Sequence, residues 1–144
     1  MRPDDFSPID GAQARAIADS LNDEAFTRWL GLHFDEIREG YARLTLAYRP
    51  EIEQGGGVVH GGAIASALDN VVLGAILSTL SERPQRAATI DLHVHFIDAV
   101  AREDVIAEAR IRRRGKSIVF AEADARTPSG RVVAHAEACW RVSG

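Results

Sequence analysis

Residues Gly61 to Leu80 form an apolar stretch with one charged side chain, Asp69, near its middle. The stretch is long enough to raise the question of a membrane span. An ionised residue at the centre of such a span costs about 2.5–3.5 kcal/mol on insertion scales, and Ser66, Asn70, Gly74 and Ser78 add further polarity. The pattern therefore predicts a buried helix of a globular chain, over about residues 61–80. A helix that is apolar on most sides must be covered by other elements. A carboxylate buried there without a partner is costly, and its pKa normally rises. Two readings of Asp69 stay open at this point: a structural carboxylate paired with an arginine or facing solvent, or a functional one.

The rest of the chain supplies the cover. Asp10 or Ser7 caps a first helix over about residues 11–30, in which Ala14, Ile17, Ala18, Leu21, Ala25, Phe26, Trp29 and Leu30 recur at helical spacing and Gly31 ends the pattern. Residues 32–38 and 41–48 read as strands joined through Gly40. Residues 49–59 read as a glycine-rich loop. After the apolar helix, residues 87–97 alternate, with Ile90, Leu92, Val94 and Phe96 on one side and Asp91, His93 and His95 on the other. Further strands are predicted over 103–113, 117–126 and 131–142, the last two joined through the turn residues Pro128 and Gly130. Helix, two strands, long helix and four strands predict an α+β fold, one antiparallel sheet laid around the long helix. A chain of 144 residues, 46% hydrophobic and 26% charged, has the size and composition of one globular domain, so residues 1–144 are expected to form a single unit.

Charge and cysteine content narrow the function. The formal net charge is −4, without a long run of one sign, so no nucleic-acid partner is expected. The single cysteine, Cys139, allows no intrachain disulfide, and MRPDDFSPID lacks the apolar core of a secretory leader. A cytoplasmic protein with no membrane partner is the expectation.

The start of the long helix carries His60-Gly61-Gly62. Backbone N–H groups of a first helical turn lack intrahelical acceptors and form the positive end of the helix dipole. Glycine lets a ligand approach them closely. Such a terminus suits an anion, or the oxyanion formed when a carbonyl is attacked. From Gly61 to Asp69, however, is about 12 Å along a helix. A carbonyl at the first turn is out of reach of Asp69 in the same chain. If both features are catalytic, a second copy of the helix must pack antiparallel beside the first, giving a homodimer with two shared sites.

HGGAIASALD, His60 to Asp69, resembles the motif of the hotdog-fold acyl-CoA thioesterases, specifically the phenylacetate-pathway (PaaI-like) branch, and the resemblance covers roughly residues 30–142. Gln54 stands six residues before the histidine, Thr89 opens the strand after the helix, and Arg114-Gly115-Lys116 lies between two later strands, as in that family. The resemblance implies a hotdog core over about residues 31–142 behind an extra N-terminal helix, hydrolysing a small, medium-chain or aromatic acyl-CoA without a metal or organic cofactor. It implies that Gly61 supplies the N–H that polarises the thioester carbonyl, that His60 shapes the loop, and that Asp69 from the facing subunit is general base or nucleophile. Gln54 and Thr89 would position water or the departing carboxylate. Gly62 and the turn Arg112, Arg113, Arg114, Gly115, Lys116 and Ser117 would bind substrate, the basic side chains against the phosphates of coenzyme A. A homodimer is expected, and a tetramer is common among such relatives.

Two other functions compete: a non-catalytic acyl-CoA binding domain, which needs no carboxylate in an apolar helix, and a hotdog enoyl or 3-hydroxyacyl thioester hydratase, whose motifs are not found here. His93 and His95 share a strand face, read as a polar surface ahead of a metal site. Cys139 reads as a small buried hydrophobe. Ser66 has no nucleophile elbow around it, and Gly55-Gly56-Gly57 lacks the lysine of a P-loop. Phe26 and Trp29 either pack the first helix or line an acyl tunnel.

Overall fold

The computed structural model describes residues 1–144. The N-terminal region holds two helices, α1 (Gly11–Asn22) and α2 (Ala25–Leu30), where one helix over 11–30 was expected. Asp10 caps α1, its carboxylate accepting the N–H groups of Ala12 and Gln13, both at 3.0 Å. The break has a physical cause at Asn22. Its side chain accepts the Phe34 N–H at 2.8 Å and donates to the Phe34 carbonyl at 3.3 Å, which ties the helix end to the edge of the sheet. Glu24 then takes an extended conformation, and Gly31 closes α2 in the left-handed region at φ 82°.

The sheet contains β1 (Leu32–Arg38), β2 (Tyr41–Leu46), β5 (Arg86–Phe96), β6 (Val105–Arg114), β7 (Ile118–Arg126) and β8 (Val132–Ser143), antiparallel throughout, in the order β1-β2-β6-β7-β8-β5. The predicted loop at 49–59 holds a small hairpin, β3 (Glu53–Gly55) with β4 (Val58–Val59). The Gly57 N–H donates to Glu53 Oε1 across its turn at 2.7 Å.

The long helix α3 spans Gly61–Leu77 and lies across the inner sheet face. It ends before the predicted Leu80 because Ser78 takes over the terminus. The Ser78 hydroxyl donates to the Ala75 carbonyl at 2.7 Å and accepts the Gly40 N–H at 2.9 Å. The α3 residues Ala63, Ile64, Ala67, Leu68, Val71, Val72, Ala75 and Ile76 are buried. The facing strands are rich in alanine: Ala107, Ala109, Ala121, Ala123, Ala136 and Ala138 are all buried. Small residues let the helix approach the sheet closely. At Gly74 an added Cβ would lie 2.6 Å from Phe34 Cε1.

β5 departs from its predicted alternation. A β-bulge between Thr89 and Asp91 inserts Ile90 as an extra residue, leaving it 54% exposed. Thr89 therefore shares the inner face with Leu92 and Val94. Tyr41, on the outer face of β2, is nonetheless fully buried: Phe6 stacks on its ring at 4.7 Å and its hydroxyl donates to buried Glu108 at 2.6 Å. No helix is long and apolar enough to cross a membrane.

Candidate active site

The sheet covers one face of α3 and leaves the other open. That open face carries Gly61, Gly62, Ala65, Ser66, Asp69, Asn70 and Leu73, none of them fully buried. Asp69 is thus half-buried on the one uncovered side of the helix. Thr89 Oγ1 donates to Asp69 Oδ1 at 2.8 Å. The bulge at Ile90 makes this contact possible, since the uninterrupted alternation of β5 would turn Thr89 outward. Burial pushes the Asp69 carboxyl above the usual aspartate range, and the Thr89 hydrogen bond opposes that rise. The structure pairs Asp69 with no arginine.

At the start of α3 the His60 Nδ1 accepts the Gly62 N–H at 2.8 Å, so His60 is the N-cap of the helix. An accepting Nδ1 places the proton of a neutral imidazole on Nε2. With the Gly62 N–H taken up, the Gly61 N–H is the donor of the first turn left without an acceptor. The ring of Phe96 lies against Gly61, its Cε1 3.3 Å from where a Cβ would stand. Sequence alternation placed Phe96 on one side of the strand with Ile90, Leu92 and Val94. The ring is instead 55% exposed, at the end of β5 beside the helix start. Only the topology brings β5 there, and no sequence signal marks it.

Gln54 is exposed on β3 and makes no side-chain hydrogen bond within the chain, so one chain brings together Asp69 with Thr89, and His60 with Gly61 and Gly62, but not Gln54 with either. The basic turn is also divided. Arg112 lies on the outer sheet face with its Nε 3.6 Å from Glu122. A bulge between Ile111 and Arg113 sets the strand end. Arg114 and Lys116 line a cleft of about 250 Å³ with Ser81, Arg83 and the C-terminal Ser143. The turn is closed by the Gly115 N–H donating to the Ile118 carbonyl at 2.8 Å, and the Ser117 carbonyl accepts the Val142 N–H at 2.8 Å. That cleft also takes in Leu80, just beyond the end of α3, so Arg114 and Lys116 stand at the opposite end of the helix from Gly61.

His93 and His95 are exposed on β5, opposite Glu137 and His135 in register, and no cluster of three metal-ligating side chains forms around them. Cys139 is half-buried on the same outer face.

The model of the thioesterase superfamily matches residues 56–134, which takes in the start of α3, Asp69, Thr89 and most of the sheet. A Halobacterium salinarum protein, described as a candidate esterase, is 33% identical over 127 residues, covering 84% of this chain and 83% of that one. The medium/long-chain acyl-CoA thioesterase YigI of Escherichia coli K12 is 29% identical over 131 residues, covering 81% and 84%. The E. coli PaaI protein of the phenylacetic acid degradation operon superposes with a TM-score of 0.82 over 92% of this chain and 95% of that one, at 21% identity. The chain belongs to the thioesterase superfamily, and its antiparallel sheet around a central helix is the hotdog fold.

Proposed function

We propose that the protein is an acyl-CoA thioester hydrolase with two active sites shared between two copies of the chain. The observation that carries the reading is the Thr89–Asp69 pair: an oriented, half-buried carboxylate with no cationic partner, on the one face of α3 that its own sheet leaves open. Membership of the thioesterase superfamily and the name of the E. coli relative support the reaction class.

In this reading the thioester carbonyl oxygen sits on the Gly61 N–H, with His60 holding the first turn through Gly62. Asp69 of the facing copy acts in one of two ways. As general base it takes a proton from water while the water oxygen attacks the carbonyl carbon. As nucleophile its own oxygen attacks, and water then cleaves the resulting anhydride. In both, negative charge develops on the carbonyl oxygen against Gly61. The tetrahedral species collapses by breaking the carbon–sulfur bond, and the thiolate of coenzyme A leaves and is protonated. Gln54 and Thr89 position water or the departing carboxylate. Arg112, Arg113, Arg114 and Lys116, on the frame of Gly115 and Ser117, meet the coenzyme A phosphates.

The dimer is supported by the edge of the sheet. β5 is eleven residues long and pairs on one side only, with β8. It exposes Ile90 and Phe96, and Ile97 follows it in the open. A long exposed edge of this kind invites pairing with another strand. Antiparallel pairing of β5 with its copy about a two-fold axis continues the sheet and sets the two α3 helices side by side in opposite directions. The start of one helix then approaches Asp69 of the other, and the basic turn of that second copy lies beyond Asp69, past a helix end about 12 Å further along. A homotetramer is the further expectation, and the cytoplasm the expected compartment.

The test is free-thiol release from a panel of acyl- and aryl-CoA esters, for wild type and Asp69→Ala. Turnover by wild type with a loss of about 100-fold or more in the variant, at least about 2.7 kcal/mol in barrier, supports the assignment. Equal rates for the two proteins remove Asp69 from the reaction.

A further inference from the structure

The break between α1 and α2, which helical periodicity does not announce, has a consequence at the site. It turns α2 so that Phe26 and Trp29 stand beside the start of α3. The two rings stack at a centroid separation of 6.2 Å with an interplanar angle of 25°. Both face open space, Phe26 51% and Trp29 70% exposed. Large aromatic surface left in water next to a site marks a place where something apolar binds. The shelf is held in position from beneath. The Arg49 guanidinium donates to the Trp29 carbonyl, and Gly31 leaves room for that guanidinium, with Nη1 3.0 Å from where a Cβ would stand.

Between this shelf and α3 lies a cleft of about 290 Å³. Its far wall is the first two turns of α3, from His60 and Gly62 to Ala63 and Ser66, and Ile52 closes its floor. A cavity of roughly 150 Å³ is enough to hold a benzene ring. The cleft is therefore large enough for an aryl or medium-length acyl chain, and it opens at the residues that hold the Gly61 N–H.

Glu51 and Glu53 are on the wall, and Arg49, beneath the shelf, places its Nε 3.8 Å from Glu51 Oε2. The Tyr48 hydroxyl and the Gly57 N–H both donate to Glu53 and hold its carboxyl below the usual glutamate range, so it stays ionised. An acyl group with a free carboxylate would meet the charge of Glu53, while the nearby Arg49 is engaged by Glu51 and the Trp29 carbonyl.

We infer that the cleft between α2 and the start of α3 receives the acyl group, and that it selects an apolar, uncharged acyl group of aryl or medium-chain size over acyl groups ending in a carboxylate. This rests on the thioesterase reading and adds to it which part of the molecule recognises the acid. Phe26 and Trp29 determine specificity by packing on the chain, while the reacting atoms lie at Gly61 and Asp69.

The experiment compares kcat/KM for acetyl-, octanoyl-, phenylacetyl-, pentanoyl- and succinyl-CoA in wild type, Trp29→Ala, Phe26→Leu and Glu51→Lys, with thermal unfolding as the control on folding. Loss of one aromatic packing face is expected to lower the octanoyl-to-acetyl ratio about tenfold in Trp29→Ala, with a smaller fall in Phe26→Leu. Wild type is expected to prefer pentanoyl-CoA to succinyl-CoA by about tenfold or more, and Glu51→Lys to narrow that preference. Thiol release with acyl ratios unaltered in both aromatic variants, or equal use of the succinyl and pentanoyl esters by wild type, overturns the pocket assignment alone. No thiol release by wild type from any ester overturns the thioesterase reading, and the pocket with it.

Discussion

The two faces of α3 come from one sequence and follow opposite rules. The face toward the sheet is packed closely enough that Gly74 has no room for a methyl group against Phe34 and Ala42. Its side chains are aliphatic and almost wholly out of water. The other face is polar and half-buried and holds Ser66, Asp69 and Asn70. On the first face, any change of volume disturbs the fold. On the second, side chains can change with little effect on folding and a large effect on what the helix does. A lone carboxylate in an apolar helix is thus a sign that one strip of that helix is not core.

Substitutions on the two faces should separate these roles. Asp69→Ala has the largest expected effect on turnover, about 100-fold or more in thiol release, with the unfolding midpoint close to wild type. A comparable loss of stability in that variant would erase the distinction between the faces. Gly74→Ala should act the other way. It forces Phe34 or the helix to move and is expected to lower stability by about 1–3 kcal/mol, read by denaturant unfolding, while kcat of the folded fraction holds.

Thr89→Val tests the hydrogen bond that ties the sheet to the open face. The Thr89 hydroxyl holds the Asp69 pKa down against burial. Removing it moves the acid limb of the rate–pH profile to higher pH. An unmoved limb would separate Thr89 from the titration of Asp69.

The smallest expected effect is on stability in Asp69→Asn. A carboxyl with a raised folded pKa favours the fold fully while it is protonated, below its unfolded pKa, and loses that contribution as pH rises through the folded value. Above that value a charged, half-buried Asp69 costs stability. The asparagine variant should therefore be the more stable protein there, and the difference should vanish below about pH 4. A gain that persists at low pH would assign it to something other than charge.

The sequence and the fold agree best where the cause is local. The apolar run beginning at Gly61, the turn at Gly40 and the cap at Asp10 each act within a few residues of themselves, and the strands fall within about two residues of their expected bounds. The spacing within the candidate site is local in the same way, since His60 and Gly61 open the helix that carries Asp69, whereas the Thr89–Asp69 hydrogen bond needs the bulge in β5. What escaped depends on distant partners. The helix over 11–30 breaks because Asn22 is held by Phe34. Ile90 and Phe96 follow the apolar alternation of β5, yet a bulge turns one outward and the strand's end carries the other to Gly61. The buried Tyr41–Glu108 pair is invisible in sequence because Phe6, which covers it, is far along the chain.

The central claim is that each site takes Gly61 from one copy and Asp69 from the other, and subunit complementation tests it most directly. Asp69→Ala removes the carboxylate. Gly61→Pro removes the N–H at the first helical position, where proline is tolerated, and the extended conformation of His60 suits a following proline. Each variant alone should lose about 100-fold or more in thiol release. The two are then mixed in equal amounts and allowed to exchange subunits, with exchange verified by native mass spectrometry. Random pairing makes half the dimers mixed, each with one intact site, so about a quarter of wild-type activity should return. Mixed dimers with no recovered activity would contradict a shared site and place Gly61 and Asp69 outside a common reaction.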